Sequence, residues 1–293
     1  MWLFYKLPLL DWVTPLLLRC REYDVSHFII GGWVIDTQYI KQLPSPSLQK
    51  YVSHYWLSRN NLDDTYSVLP DGSVDLVFNV CGGTVDNVVY GTTTAYHELP
   101  IQIGSHYLGV CFKPGQSRHF INVPAHRLTD SYELAQGLLS FDTSHIPDQI
   151  ISDDIFKSLN QVLESHLRKH QPVHSSIDDI VQIIQSNHGL TSISDIAALF
   201  GKSKRQFERV FLETVGITAK LFSQIVRFRH ASNYVGCSSI SLAHIAAASG
   251  YTDQSHMNRE FKRFANQSPT TYAGQNVVFL QDTLISPTEN RFS

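Results

Sequence analysis

Two stretches of the 293-residue sequence carry one pattern at an offset of about fifty residues. In the first, "SISDIAALFGKSKRQFERVF", Ser192 precedes Asp195 by three, the spacing of a helix-capping box. Ile193, Ile196, Ala197 and Phe200 follow at helical intervals. Gly201 permits a sharp turn, Ser203 and Gln206 form a second box, and Phe207, Val210 and Phe211 make the next apolar stripe. The second stretch, "SLAHIAAASGYTDQSHMNREF", has Ile245 where the first has Ile196 and Gly250 where it has Gly201. One extra turn residue then moves the register, so Met257 matches Phe207, Arg259 matches Arg209 and Phe261 matches Phe211. Asp253 stands where it can cap the second helix of this unit. Between them "TAKLFSQIVRFRHASNYV" reads as one long helix. Helix, glycine-bearing turn and helix, stated twice in register and joined by a helix, predicts two helix-turn-helix units at a fixed separation.

Charge divides along the same line. The net charge is −3, yet residues 175–273 hold ten Lys/Arg against seven Asp/Glu and the rest of the chain thirteen against nineteen. The C-terminal third is therefore +3 and the remainder −6, which points to that third as the part that meets a polyanion. Cys20, Cys81, Cys111 and Cys237 are far apart and form no CxxC pair. That spacing argues against a zinc site or a disulfide framework and suits a reducing cytosol. No apolar run reaches the ~18 residues of a membrane span. The greasy start, "MWLFYKLPLLDWVTPLLLRC", is interrupted by Pro8 and Asp11 and lacks a clean small-residue cleavage site. It is read as an uncertain extension over residues 1–43 of a cytoplasmic protein with no membrane partner.

Residues 176–272 resemble the DNA-binding domain of AraC/XylS-type transcriptional regulators. "GYTDQSHMNREFKRFANQSPTTY" follows that family's second-unit signature almost throughout, including Ser268-Pro269 at the start of a final helix. Met257 stands where the family usually has Phe, Thr218-Ala219 replaces a frequent Ser-Pro, and Asn266 replaces a common Gly. The resemblance implies that the second helix of each unit enters a major groove of double-stranded DNA, with the two insertion points about one helical turn apart, roughly 34 Å. The outward positions are then Lys204, Arg205, Glu208 and Arg209 in the first unit and Gln254, Ser255, Asn258 and Arg259 in the second. Their chemistry suits base edges. Arg grips guanine O6 and N7, Gln or Asn does the same for adenine, and Glu accepts from cytosine. Lys202, Lys262 and Arg263 suit phosphate, which positions without reading sequence. His256 faces the turn and is read as a packing or capping residue. RNA polymerase is implied as a further partner.

The N-terminal part reads as β structure. "SVDLVFNV" alternates, with Val74, Leu76, Phe78 and Val80 on one face, and "HYLGVCF" is a second strand. Gly82-Gly83, "LPDGSVD" and Lys113-Pro114-Gly115-Gln116 supply turns. Short strands so separated predict a small barrel or sandwich. "VLPDGSVDLVF", "GVCFKPGQSRHF" and "VPAHRLTD" resemble the cupin-like sensor region of one AraC-type subgroup, which implies a small-molecule effector or a homodimer. The fold class is α+β, a cupin-like β domain (44–130) followed by an all-α domain (176–273) with two helix-turn-helix units joined by a long helix. A helical region (131–170), a linker (171–175) and a tail (274–293) complete the division. In the helical region Ile155, Leu159 and Val162 form a row that either seats on a second copy, as a coiled-coil seam does, or packs on the chain's own β domain. Tyr55, Trp56, Phe78 and Phe112 either line an apolar effector pocket or fill the core of the β domain, and Arg118, Asp71 and Asp75 are either its polar anchors or turn and surface residues.

Catalytic chemistry finds no motif. There is no Gly-rich phosphate loop, no GxSxG elbow and no paired-carboxylate motif. His97, His106, His119 and His126 include no HxH pair, so no metal or other cofactor is expected. The competing reading is a ligand-binding or enzymatic β domain whose helical tail contacts proteins; the intact basic helix faces argue against it.

Overall fold

A computed structural model describes the backbone of residues 23–30, 33–201, 203–235 and 240–274, with side chains from Tyr39 onward. Among the described residues nine strands come first: β1 (Tyr23–Ile30), β2 (Trp33–Gln42), β3 (Val52–Arg59), β4 (Thr65–Val68), β5 (Val74–Cys81), β6 (Thr84–Tyr90), β7 (His97–Pro100), β8 (His106–Phe112) and β9 (Tyr132–Leu134). Seven of them form one antiparallel sheet in the order β1-β2-β3-β8-β5-β6-β9, and β4 pairs with β7 in a separate ladder. The strand order is open, with β1 and β9 at its edges, so the sheet does not close into a barrel. Eight helices follow: α1 (Ile155–His170), α2 (Ser176–Ser186), α3 (Ile193–Leu199), α4 (Lys204–Val215), α5 (Ala219–Ser232), α6 (Leu242–Ala248), α7 (Gln254–Ala265) and α8 (Pro269–Gly274). No helix among the described residues is long and apolar enough to cross a membrane.

The alternation in β5 does what its period requires. Val74, Leu76 and Phe78 are buried on one face, and the turn into β6 takes positive φ at Gly82 and Gly83 (55° and 85°), as a two-residue hairpin demands. Gly115 (φ 78°) completes the turn after β8, closed by Gln116 N–H donating to Lys113 O at 2.9 Å. The β unit differs from its expected bounds at both ends. β2 pairs with β3 from Gln38↔Arg59 to Gln42↔Tyr55, so the sheet reaches into the expected N-terminal extension. Residues 131–154 are not helical: Tyr132–Leu134 pair with β6 as an edge strand, and loops and one 3-10 turn lead to α1.

Of the row on α1, Ile155 and Leu159 are buried within their own chain and Val162 is half-buried against the same core. Ile155, Phe156, Leu159 and Leu163 share one core with Tyr55, Phe78, Phe112 and Phe120. Tyr55 stacks on Phe156 with ring centroids 6.0 Å apart, and its hydroxyl donates to Asn160 Oδ1 at 2.9 Å. With Ile155 and Leu159 almost fully covered, the row cannot also serve as a seam between copies. Each such side chain contributes about 1.5–3 kcal/mol by leaving water, which is why the sheet takes it first.

A second core lies among the helices and includes Ile196, Phe207, Phe211, Phe222, Phe228, Ile245, Met257, Phe261 and Phe264. The repeated stripes thus turn inward on α5, which runs between the two units. Both turns use a left-handed glycine, Gly201 at φ 68° and Gly250 at φ 75°. At Gly250 a Cβ would sit 2.2 Å from Leu190 Cδ2, so close approach as well as φ excludes a side chain there. The caps at Ser192, Ser203 and Asp253 form as the spacing requires, accepting from the N–H groups of Asp195, Gln206 and His256. The capping box of α2 is Ser175 with Asp178, although Ser176 with Asp179 has the same spacing. Thr218 caps α5 as a serine would, and Asn266 takes φ 57° after α7, the left-handed conformation that Asn tolerates best after Gly.

Candidate nucleic-acid interface

The outward face of α4 carries Lys204, Arg205, Glu208 and Arg209, all exposed. Phe207, Phe211 and Val215 lock the opposite face into the helical core. On α7 Gln254, Ser255 and Arg259 are exposed and Asn258 half-buried, above buried Met257, Phe261 and Phe264. Lys262 and Arg263 are exposed in the last turn of α7, and the Arg263 guanidinium lies 5.0 Å from the Phe264 ring centre. Lys202 lies outside the described residues.

The two units are not electrostatically equivalent. Along α4 Lys204 faces Glu208 at 3.9 Å and Arg209 donates to both oxygens of Glu213 at 3.1 and 3.3 Å. These are exposed i,i+4 pairs worth only a few tenths of a kcal/mol, about 0.3–0.5, so DNA can displace them. Along α7 the residue one turn beyond Arg259 is Arg263 rather than a carboxylate. Arg259 therefore extends from a helix that offers it no carboxylate at that spacing. The Asn258 side-chain oxygen is buried without a partner.

A polar knot that the helical pattern does not show holds α7 to α5. Glu260 is buried and accepts from Arg227 Nη2 at 2.6 Å and from Gln224 Nε2 at 3.3 Å, while His256 Nε2 lies 3.5 Å away. Arg227 also covers the ring of Tyr251 at 4.7 Å. His256 is thus part of the packing, with Nδ1 2.9 Å from Thr252 Oγ1. Glu260 and Arg227 stand 33 positions apart, and no local spacing signals such a pair.

The residues considered for an effector do not converge. Tyr55, Phe78 and Phe112 fill the β core with no exposed surface, Phe112 stacking on Phe120 at 4.8 Å. Trp56 points from the other face of β3 and stacks on Tyr66 at 6.4 Å. Arg118 donates to Asp178 on α2 at 2.9 Å, joined there by Gln116 Nε2 at 2.9 Å, and so ties the two units together. A groove of about 450 Å³ lies elsewhere, beside α1, where Phe141, His145, His166, Lys169 and His170 are among its walls.

The face of the sheet that carries Trp56 holds two titrating groups of opposite tendency. His54 is buried, and burial first, then Lys41 and Arg229, push its imidazole down from 6.5 to about 3. Asp75 is pushed up from 3.8 to about 7 by burial and then by Asp71, although Trp56 and Cys111 donate to its carboxylate. For His54 the unfolded chain takes a proton that the folded chain refuses, so its contribution is complete above pH 6.5 and is lost as pH falls toward 3. For Asp75 the folded chain holds the proton, so its contribution is complete below about 4 and is lost as pH rises toward 7. The two slopes, each up to about 1.4 kcal/mol per pH unit, oppose one another in the shared window. Asp75→Asn is therefore expected to lose stability between pH 6.5 and 4.5 more steeply than the parent chain, read from urea midpoints. Parallel profiles would show that Asp75 does not hold its proton in this window.

Comparison with known proteins matches both units. Residues 41–133 match the family model described as a domain of unknown function (DUF6597), and residues 196–275 match that of a helix-turn-helix domain. Curated proteins give no match. Among solved structures, a transcriptional regulator with an AraC-type DNA-binding domain from Chromobacterium violaceum is 24% identical over 35% of this chain and 93% of its own, with a TM-score of 0.33. The DNA-binding domain of AdpA, in complex with a target DNA, is 21% identical over 34% of this chain and 91% of its own, TM-score 0.32. ToxT from Vibrio cholerae is 11% identical over 86% of this chain and 98% of its own, TM-score 0.40.

Proposed function

From a chain that carries an AraC-type helix-turn-helix domain behind an antiparallel β unit, we propose a sequence-specific DNA-binding transcription regulator that reads two successive major grooves with α4 and α7. The observation that carries this reading is the pairing of two helix-turn-helix units in register, each with its apolar stripe buried and its polar, base-competent face exposed apart from half-buried Asn258. Arg205, Arg209, Gln254, Asn258 and Arg259, with Lys204, Glu208 and Ser255, are the base-reading set, and Lys202, Lys262 and Arg263 the phosphate set. The resemblance to AraC/XylS-type regulators supports three further parts of the reading: a small effector on the β unit, a second copy of the chain, and RNA polymerase at the bound site. The protein works in the cytoplasm and has no catalytic role in this reading.

Gel-shift titration across a salt series tests it. Affinity is expected to fall with salt, with a log–log slope of about −0.9 per neutralised phosphate. Arg259→Ala should cost about 1–3 kcal/mol on the preferred site and relax preference at one base position. Lys262→Ala should weaken all sequences alike and flatten the slope by about one phosphate. Arg209→Ala should cost less than Arg259→Ala, because Arg209 already has Glu213 as a partner. A flat salt response, or an Arg259→Ala chain with unchanged affinity and preference, would contradict the reading.

A further inference from the structure

The C-terminal ends of both DNA-facing helices rest on one five-residue stretch of the β unit. α4 ends at Val215, whose carbonyl has no acceptor role left within the helix. Thr92 Oγ1 lies 3.0 Å from it and 3.1 Å from the carbonyl of Ser73, so one hydroxyl proton serves both oxygens. In the last turn of α7 the Arg263 carbonyl accepts from Tyr96 N–H at 3.3 Å. Thr129 Oγ1 adds a bond to the carbonyl of Gly216, just past α4, at 2.5 Å.

The stretch is itself held firmly. Thr92 is wholly buried, and its carbonyl accepts from Asp130 N–H at 3.0 Å. The Asp130 carboxylate accepts from Thr94 N–H and Oγ1, both at 2.7 Å. Tyr96 packs against the helical core and anchors its hydroxyl between Ser67 Oγ (2.9 Å) and Glu98 Oε1 (2.7 Å). Four residues of extended chain reach about 14 Å at most. The two helix ends therefore stay within that reach of one another unless the bond at Thr92 or the bond at Tyr96 breaks. This attachment does not run through α5, so it removes freedom between the units that the connecting helix alone leaves.

We infer that the Thr92–Tyr96 stretch is a brace that sets the placement of α4 relative to α7, with Thr92 and Tyr96 as positioning residues for DNA reading. The inference rests on α4 and α7 being the DNA-facing helices. It makes the spacing between the two half-sites, rather than the bases within them, a property of the β unit.

Selection of the full chain on a random duplex library, followed by sequencing, reads base preference and half-site spacing separately. The parent chain is expected to select two half-sites at one spacing. Thr92→Val keeps the shape and removes the proton; it should retain the half-sites and lose about tenfold of the advantage of that spacing over spacings one base pair longer or shorter, the worth of one buried hydrogen bond. Thr92→Ser keeps the hydroxyl and should restore the parent profile. One glycine inserted between Thr94 and Ala95 lengthens the brace without touching the buried hydroxyl and should broaden spacing in the same way. Identical spacing profiles in the parent, Thr92→Val and the insertion would overturn the brace, as would a parent chain indifferent to spacing. A parent chain with no base preference in either half-site would overturn the DNA-reading assignment and the brace with it.

Discussion

Glu260→Ala is expected to cost about 3–5 kcal/mol of folding stability, the loss that follows when one partner of a buried ion pair is removed and the other stays. Glu260 lies inside the helical core, 2.6 Å from an Arg227 guanidinium that is itself largely covered. Without the carboxylate, Arg227 keeps its charge beside the ring of Tyr251, largely out of water. The same change loosens α7 on α5, so DNA binding by the second unit should fall with stability. Urea denaturation measures the loss, and a drop below about 1 kcal/mol would mean that the pair is solvated in practice. The double change Arg227→Met with Glu260→Leu is expected to be milder than Glu260→Ala, because it leaves no buried charge unmatched.

Leu159→Asp is the second large effect. Its side chain is 2% exposed, in the core that joins α1 to the sheet. Removing the leucyl group alone costs about 2–5 kcal/mol, and an unpaired carboxylate in its place adds a further desolvation penalty. The β unit should therefore unfold, seen as loss of its cooperative transition. A folded monomer derived from a folded dimer would instead mean that the row faces a second copy. The adjacent stacking of Tyr55 on Phe156 and the bond from Tyr55 to Asn160 Oδ1 leave no room for that arrangement.

The parts of the fold that could be read from sequence are those with a local period or a local cap. Phe207, Phe211, Met257, Phe261 and Phe264 announce their helices because a buried stripe must recur every three or four residues. Ser203, Asp253, Gly201 and Gly250 announce their ends because caps and left-handed turns act within one turn of the chain. β6, "TVDNVVY", escapes notice because its first three residues are exposed and break the alternation. β9 is three exposed residues whose strand character comes only from pairing with β6. At the start of α2, Ser175-Ser176 ahead of Asp178-Asp179 give two capping boxes of equal spacing, and spacing alone does not choose between them. Glu260 with Arg227 and Thr92 with Val215 are long-range pairs, and neither residue of either pair carries a mark of the other. The outward faces proposed to read bases are legible as outward faces because they are what remains of each helix once its stripe is buried. The residues considered for an effector are legible only as aromatics, and aromatics fill cores as readily as they line pockets, as Tyr55, Phe78 and Phe112 do here.

Hydroxyl-radical footprinting of the full chain on its selected site tests the two-groove reading most directly. Two protected patches are expected on one face of the duplex, about 10 base pairs apart from centre to centre. The patch belonging to α7 should weaken in Arg259→Ala and the patch belonging to α4 in Arg205→Ala. A single patch, or two patches on opposite faces, would contradict the assignment of α4 and α7 as a pair of reading helices.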